Sequence, residues 1–97
     1  MVMSKRIVLD RNRSHHDIVA SILAACKSPN RKTRMMYAAN LNYPQLNEYL
    51  VNMVKSKLLS DTDGTFVITH KGIKYLDIYE QLLDITERTG VQGKIER

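Results

Sequence analysis

The sequence predicts a mainly α fold with a small β-hairpin: a helix-turn-helix, a wing behind it, and one long helix after the wing. Residues 30–57 hold two amphipathic runs joined by Asn40-Leu41-Asn42. Residues 58–68 hold two short β-type runs around Asp61-Thr62-Asp63-Gly64, and half of residues 70–85 are Ile, Leu or Tyr. A hairpin directly after the second helix of such a pair is a wing. At 97 residues, 43% hydrophobic and 26% charged, the chain suits one folded domain with one core.

Each element has a local cause. Residues 1–13 carry Lys5, Arg6, Arg11 and Arg13 around the apolar triplet Ile7-Val8-Leu9, lack helical periodicity, and read as a flexible basic arm. Ser14 caps the first helix, with Asp17 completing a capping-box pattern. Ile18, Ile22 and Ala25/Cys26 form its apolar stripe, Val19/Leu23 flank it, and Ser28-Pro29 stops it after about Lys27. The second helix takes Asn30 as cap, runs to Ala39, and turns Met35, Met36 and Ala39 inward. Asn40 suits the left-handed conformation that ends a helix tightly. Asn42 then caps a third helix, supported by Pro44 in the first turn and Gln45 at the capping-box position.

That third helix has the cleanest pattern in the chain: Leu46, Tyr49/Leu50 and Met53/Val54 fall on one face. Gln45, Asn47, Glu48, Asn52 and Lys55 lie opposite. It reads as the recognition helix of a helix-turn-helix, over residues 43–57. After the hairpin, Thr69 caps a fourth helix with too many large apolar residues for one face. Ile73 and Leu76 pack on the body, which leaves Tyr75, Ile78, Tyr79, Leu82, Leu83 and Ile85 for a second copy of the same helix. The expected organisation is therefore an arm (1–13), a winged helix-turn-helix (14–69), a dimerisation helix (70–89) and a disordered tail (90–97).

Charge is distributed unevenly. The net charge is +5, but residues through Lys74 hold twelve Lys/Arg against five Asp/Glu, whereas Tyr75 onward holds three against five. A basic body attracts polyanions; the same surplus also serves solubility. Arg31, Lys32 and Arg34 are more telling, because they crowd a helix amino terminus where positive charge opposes the helix dipole. A docked phosphate would relieve that opposition. The three cations are expected to neutralise phosphates, with Gln45, Asn47, Glu48, Asn52 and Lys55 toward base edges and Arg11 and Arg13 along the backbone or in a minor groove. Tyr43 reads equally as a core residue and as a DNA contact.

Lys32-Thr33-Arg34-Met35-Met36-Tyr37-Ala38-Ala39-Asn40-Leu41-Asn42-Tyr43, with Tyr49-Leu50, Leu58-Leu59, Thr69-His70-Lys71-Gly72 and Leu76, resembles small archaeal winged-helix DNA-binding proteins of the 10a type and related archaeal transcriptional regulators. The resemblance covers residues 14–85. It implies a winged-helix body, double-stranded DNA as ligand, and dimerisation through an antiparallel coiled coil of the last helices. The family's final helix is longer than the one available here, and Asp61 and Asp63 at the wing tip repel phosphates.

Enzyme chemistry finds little support. Adjacent His15 and His16 point about 100° apart on a helix and do not share a metal as an i, i+4 pair would. Cys26, the only cysteine, lies on an apolar stripe and permits no internal disulfide. No phosphate-binding glycine loop, cofactor motif or membrane-length apolar run is present, and the amino terminus does not read as a secretory signal. The expectation is a cytoplasmic, nucleoid-associated homodimer that binds double-stranded DNA. The competing reading is a winged helix that contacts proteins of the transcription machinery, which the acidic wing favours.

Overall fold

Side-chain caps fix where three of the four described helices begin. The computed structural model describes residues 14–88, in the order α1 (His15–Ala25), β1 (Asn30–Arg31), α2 (Lys32–Ala39), α3 (Tyr43–Lys55), β2 (Leu59–Thr62), β3 (Thr65–Ile68) and α4 (His70–Arg88). The expected arm, with Arg11 and Arg13, and the expected tail lie outside the described residues. At α1 the capping box is complete: Asp17 N–H donates to Ser14 Oγ at 3.2 Å, and Ser14 N–H donates to Asp17 Oδ2 at 2.8 Å. Asn42 and Gln45 repeat the arrangement at α3, at 2.9 and 3.1 Å. At α4, Thr69 Oγ1 accepts from Gly72 N–H at 3.0 Å.

The second helix begins differently from the expectation. Asn30 is not its cap. Asn30 instead pairs with Phe66 in β1, and its side-chain amide donates to the carbonyl of Ala25 at 2.9 Å, closing the end of α1 two residues before Lys27. Arg31 takes the cap position of α2 with no side-chain cap bond. This short strand makes a three-stranded antiparallel sheet in the order β1-β3-β2. The wing turn is shorter than the four-residue signal implied: Thr62 pairs with Thr65, leaving Asp63 (φ 53°) and Gly64 (φ 80°) as a two-residue turn of the kind that matches strand twist.

Left-handed residues end both helices of the helix-turn-helix. Asn40 (φ 55°, ψ 52°) lets Leu41 N–H reach the carbonyl of Met36 at 3.0 Å. Lys57 (φ 67°) does the same after α3, where Leu58 N–H reaches the carbonyl of Met53 at 2.8 Å. Ile22, Leu23, Cys26, Met35, Leu46, Leu50, Met53, Leu59 and Phe66 then close one core beneath the sheet.

Helix α4 is clamped where it starts. Lys71 Nζ donates to the carbonyl of Ser56 at 2.8 Å, and Thr69 Oγ1 lies 3.0 Å from the carbonyl of Leu58. Gly72 allows the approach: a Cβ there would lie 2.4 Å from the Leu58 carbonyl oxygen and 2.7 Å from Ile68 Cγ1. Beyond it, α4 turns Leu76 and Tyr79 inward, and the Tyr79 hydroxyl donates to the Asp17 carboxylate. Two expectations are thereby corrected. Tyr79 is 6% exposed, so it packs on its own body, whereas Ile73, expected to pack there, is 51% exposed.

Gly72→Ala should destabilise the protein by about 1–3 kcal/mol, because alanine's advantage within a helix is smaller than the enforced displacement of backbone and side chains. Urea denaturation measures this, and a variant as stable as the parent would contradict the close-contact account.

Candidate nucleic-acid interface

The amino termini of α2 and α3 converge. Helix α2 has no acidic residue in its first turn, and places Arg31, Lys32 and Arg34 at its cap, first and third positions. Its leading N–H groups and the dipole add to these charges. The Arg31 side chain reaches along the wing: a methyl on Gly64 would lie 4.0 Å from Arg31 Nη1. Lys32 Nζ sits 5.4 Å from the Tyr43 ring centroid, a cation–π contact joining the two helix starts. Tyr43 is 51% exposed, which resolves the two sequence readings in favour of a surface position. Its phenol titrates below the ordinary tyrosine value because Asn47 hydrogen-bonds to it and Lys32 lies beside it.

Successive helical residues turn by about 100°, so the buried line Leu46, Leu50, Met53 faces away from an arc through Pro44, Glu48, Val51 and Lys55. Glu48 and Lys55 are near the centre of the exposed face. Gln45, Asn47 and Asn52 are not: Asn47 is half-buried on the flank toward the wing, while Gln45 and Asn52 lie on the flank toward α1. Gln45 also has a structural duty, since its side-chain oxygen accepts the Asn42 N–H in the capping box. Sequence reasoning passed over Val51, which is 60% exposed within this arc. The signal was available, because Val51 falls outside the apolar periodicity of the helix.

A groove of about 410 Å³ runs between α3 and the wing, with Lys32, Asn47, Val51 and Lys55 along it and Asp61 and Phe66 on the wing side. Asp61 has a local reason to be acidic: its carboxylate accepts the Gly64 N–H at 3.0 Å and holds the turn.

The paired histidines brace the helices rather than meet. His15 Nδ1 and the Tyr49 hydroxyl are 2.6 Å apart, tying α1 to α3; His16 Nδ1 and the Tyr75 hydroxyl are 2.8 Å apart, tying α1 to α4. Their divergent directions were legible in the sequence, but the tyrosine partners were not. Asp17 is pushed up by burial, yet bonds from Tyr79 and from Ser14 outweigh this and lower its pKa. Cys26 is buried beside Met35 Sδ, with its thiol pushed up to about 11, as an inert core residue would be. Among the described residues, no group of three or more His, Cys, Asp or Glu could hold a metal, and no helix is long and apolar enough to cross a membrane.

The outer face of α4 is apolar. Tyr75, Ile78, Leu82 and Ile85 follow a 3-4-3 spacing, and the last three are 55%, 56% and 59% exposed. Leu83 is half-buried and packs against the core side.

The chain matches the family model described as winged helix-turn-helix over residues 12–87. Two uncharacterized proteins of Methanocaldococcus jannaschii are similar to it. One is 33% identical over 66 residues, covering 67% of this chain and 31% of that protein's length. The other is 31% identical over 70 residues, covering 70% of this chain and 72% of that one. The chain thus spans less than a third of the first relative. Among solved structures it is similar to Sso10a-2, a DNA-binding protein from Sulfolobus solfataricus, with a TM-score of 0.70 and 30% identity over 78% of this chain and 84% of that one.

The cations at α2 generate a stability prediction. Arg34→Glu should stabilise the free protein by about 0.5–1 kcal/mol at low ionic strength, since the charge then agrees with the dipole. Thermal melts of the two forms without any polyanion measure it; a destabilised variant would contradict the electrostatic assignment.

Proposed function

The chain belongs to the winged helix-turn-helix family, and from that premise we propose that it binds double-stranded DNA as a homodimer, as a transcriptional regulator or a nucleoid-associated protein of the cytoplasm. The observation that carries the reading is the cation set at the start of α2, placed where it opposes the helix dipole and adjoins the exposed arc of α3. Bound phosphate turns this unfavourable arrangement into a favourable one. Arg31, Lys32 and Arg34 neutralise backbone phosphates, and α3 enters the major groove with Glu48, Val51 and Lys55 foremost and Asn47, Asn52 and Gln45 on its flanks. Tyr43 supports Lys32 and lies at the groove edge. The structural likeness to a DNA-binding protein supports the same reading.

Dimerisation rests on the outer face of α4. Tyr75, Ile78, Leu82 and Ile85 have the a/d spacing of a coiled-coil seam. An antiparallel pairing along this seam would hold two recognition helices at opposite ends of a rod, since a 19-residue helix spans about 28 Å. Tyr79 is no longer part of this interface and Leu83 lies at its border. The protein-partner reading, within the transcription machinery, drew on the acidic wing; Asp61 is explained by the turn that it holds, which leaves the α2 cations as the stronger observation.

Two experiments test the proposal. In fluorescence anisotropy across a salt series, Arg31→Ala with Arg34→Ala should weaken DNA binding and make the log–log salt slope shallower by about 0.9 for each phosphate contact removed. Unchanged binding by the folded double variant would refute the phosphate role. Leu82→Asp should convert the protein to a folded monomer in sedimentation; an unchanged mass would refute the seam.

A further inference from the structure

Val51 is misplaced by every local criterion. It does not belong to the buried line of α3, lies instead in its exposed arc, and is a β-branched residue at a solvent-facing mid-helix position where such residues are poor choices. At 60% exposure, against 51% for Tyr43 in the first turn, it is the large apolar residue of α3 most exposed to solvent among the described residues. Its neighbours are chemically different: Asn47 one turn before it, Lys55 one turn after it, and Glu48 beside it. Asn47 and Lys55 share with it the groove toward the wing.

Taking the DNA reading as its premise, we infer that Val51 is a specificity-determining residue that contacts the C5-methyl group of thymine in the major groove. The major-groove edge of a base pair offers one apolar feature, the thymine methyl, and small apolar side chains recognise it. A branched aliphatic group presented on the wing side of the exposed arc has the chemistry for that contact and for no hydrogen-bonding edge. The side chain is short, so the contact requires α3 to lie deep in the groove, with Lys32 at the groove's margin near phosphates. Asn47, one turn earlier, lines the same groove as Val51. It lies within reach of a neighbouring base pair, where an amide suits adenine. The ligand class is therefore DNA rich in A·T pairs read through its major groove.

The test removes the methyl from the DNA. A labelled duplex of ~30 base pairs of alternating adenine and thymine is compared with the same duplex in which every thymine is replaced by deoxyuridine, using anisotropy at one fixed salt concentration. Wild-type protein should bind the uracil duplex about fourfold more weakly for each methyl that it buries. Val51→Ala, a surface change that leaves the core intact, should lose most of this preference, because the shortened side chain buries less of the methyl. Equal affinity of the wild type for both would overturn the inference while leaving DNA binding standing. A thymine preference undiminished in Val51→Ala would overturn it too, because the methyl would then be read elsewhere. If the wild type bound neither duplex at any salt, the premise of DNA binding would fall and the inference with it.

Discussion

The arrangement depends on one close contact, the seating of α4 on the backbone that follows α3. Gly72 lies against the Leu58 carbonyl and the Ile68 side chain with no room for a Cβ, and Thr69 and Lys71 bind the carbonyls of the same segment. The contact fixes the direction in which α4 leaves the body, and hence which of its faces is buried. It also anchors the segment after α3 and the base of the wing, since Thr69 N–H donates to the carbonyl of Leu58 at 3.1 Å, while Ile68 N–H ties the wing to the end of α1 through the carbonyl of Cys26 at 2.8 Å. The candidate interface and the apolar outer face of α4 are therefore set by a shared junction. Interiors are packed too densely for one to move without a response in the other.

The chain departs from local preference in several places. Arg31, Lys32 and Arg34 oppose the α2 dipole. Lys57 adopts a left-handed conformation that glycine would adopt without strain, between α3 and the wing. Val51 is exposed in α3. Elsewhere, including the capping boxes of α1 and α3 and the turn at Asp63-Gly64, local preference and fold agree. At Arg31, Lys32, Arg34 and Val51, such departures are what a surface shaped by a ligand would show.

The legible parts of the fold were those encoded over a few residues. Ser14 with Asp17, Asn42 with Gln45, and Asn40 at a helix end each act within one turn, so sequence alone placed those boundaries. What escaped was decided by distant partners. The two residues of β1 form a strand only because Phe66 and Thr65 pair with them, which removed Asn30 from its expected role as a cap. On α4, the lines Gly72-Leu76-Tyr79-Leu83 and Tyr75-Ile78-Leu82-Ile85 have the same heptad spacing, so periodicity could not say which faces α1. The glycine marks the inner line, because it permits the close approach there. For the candidate interface, the cations of α2 and the buried line Leu46, Leu50 and Met53, which fixes the rotation of α3, were readable. That period already puts Val51 in the exposed arc and Gln45, Asn47 and Asn52 on its flanks; what it does not carry is which flank faces the wing and which faces α1.

The central claim, that the starts of α2 and α3 with the exposed arc of α3 form the DNA-binding surface, is tested most directly by nitrogen–proton correlation NMR of the labelled protein titrated with a short duplex. The account predicts that amide shifts concentrate at residues 31–34 and 43–55, with smaller changes in the wing and little change along the outer face of α4. Shifts confined to α4, or no shifts at low salt, would contradict it.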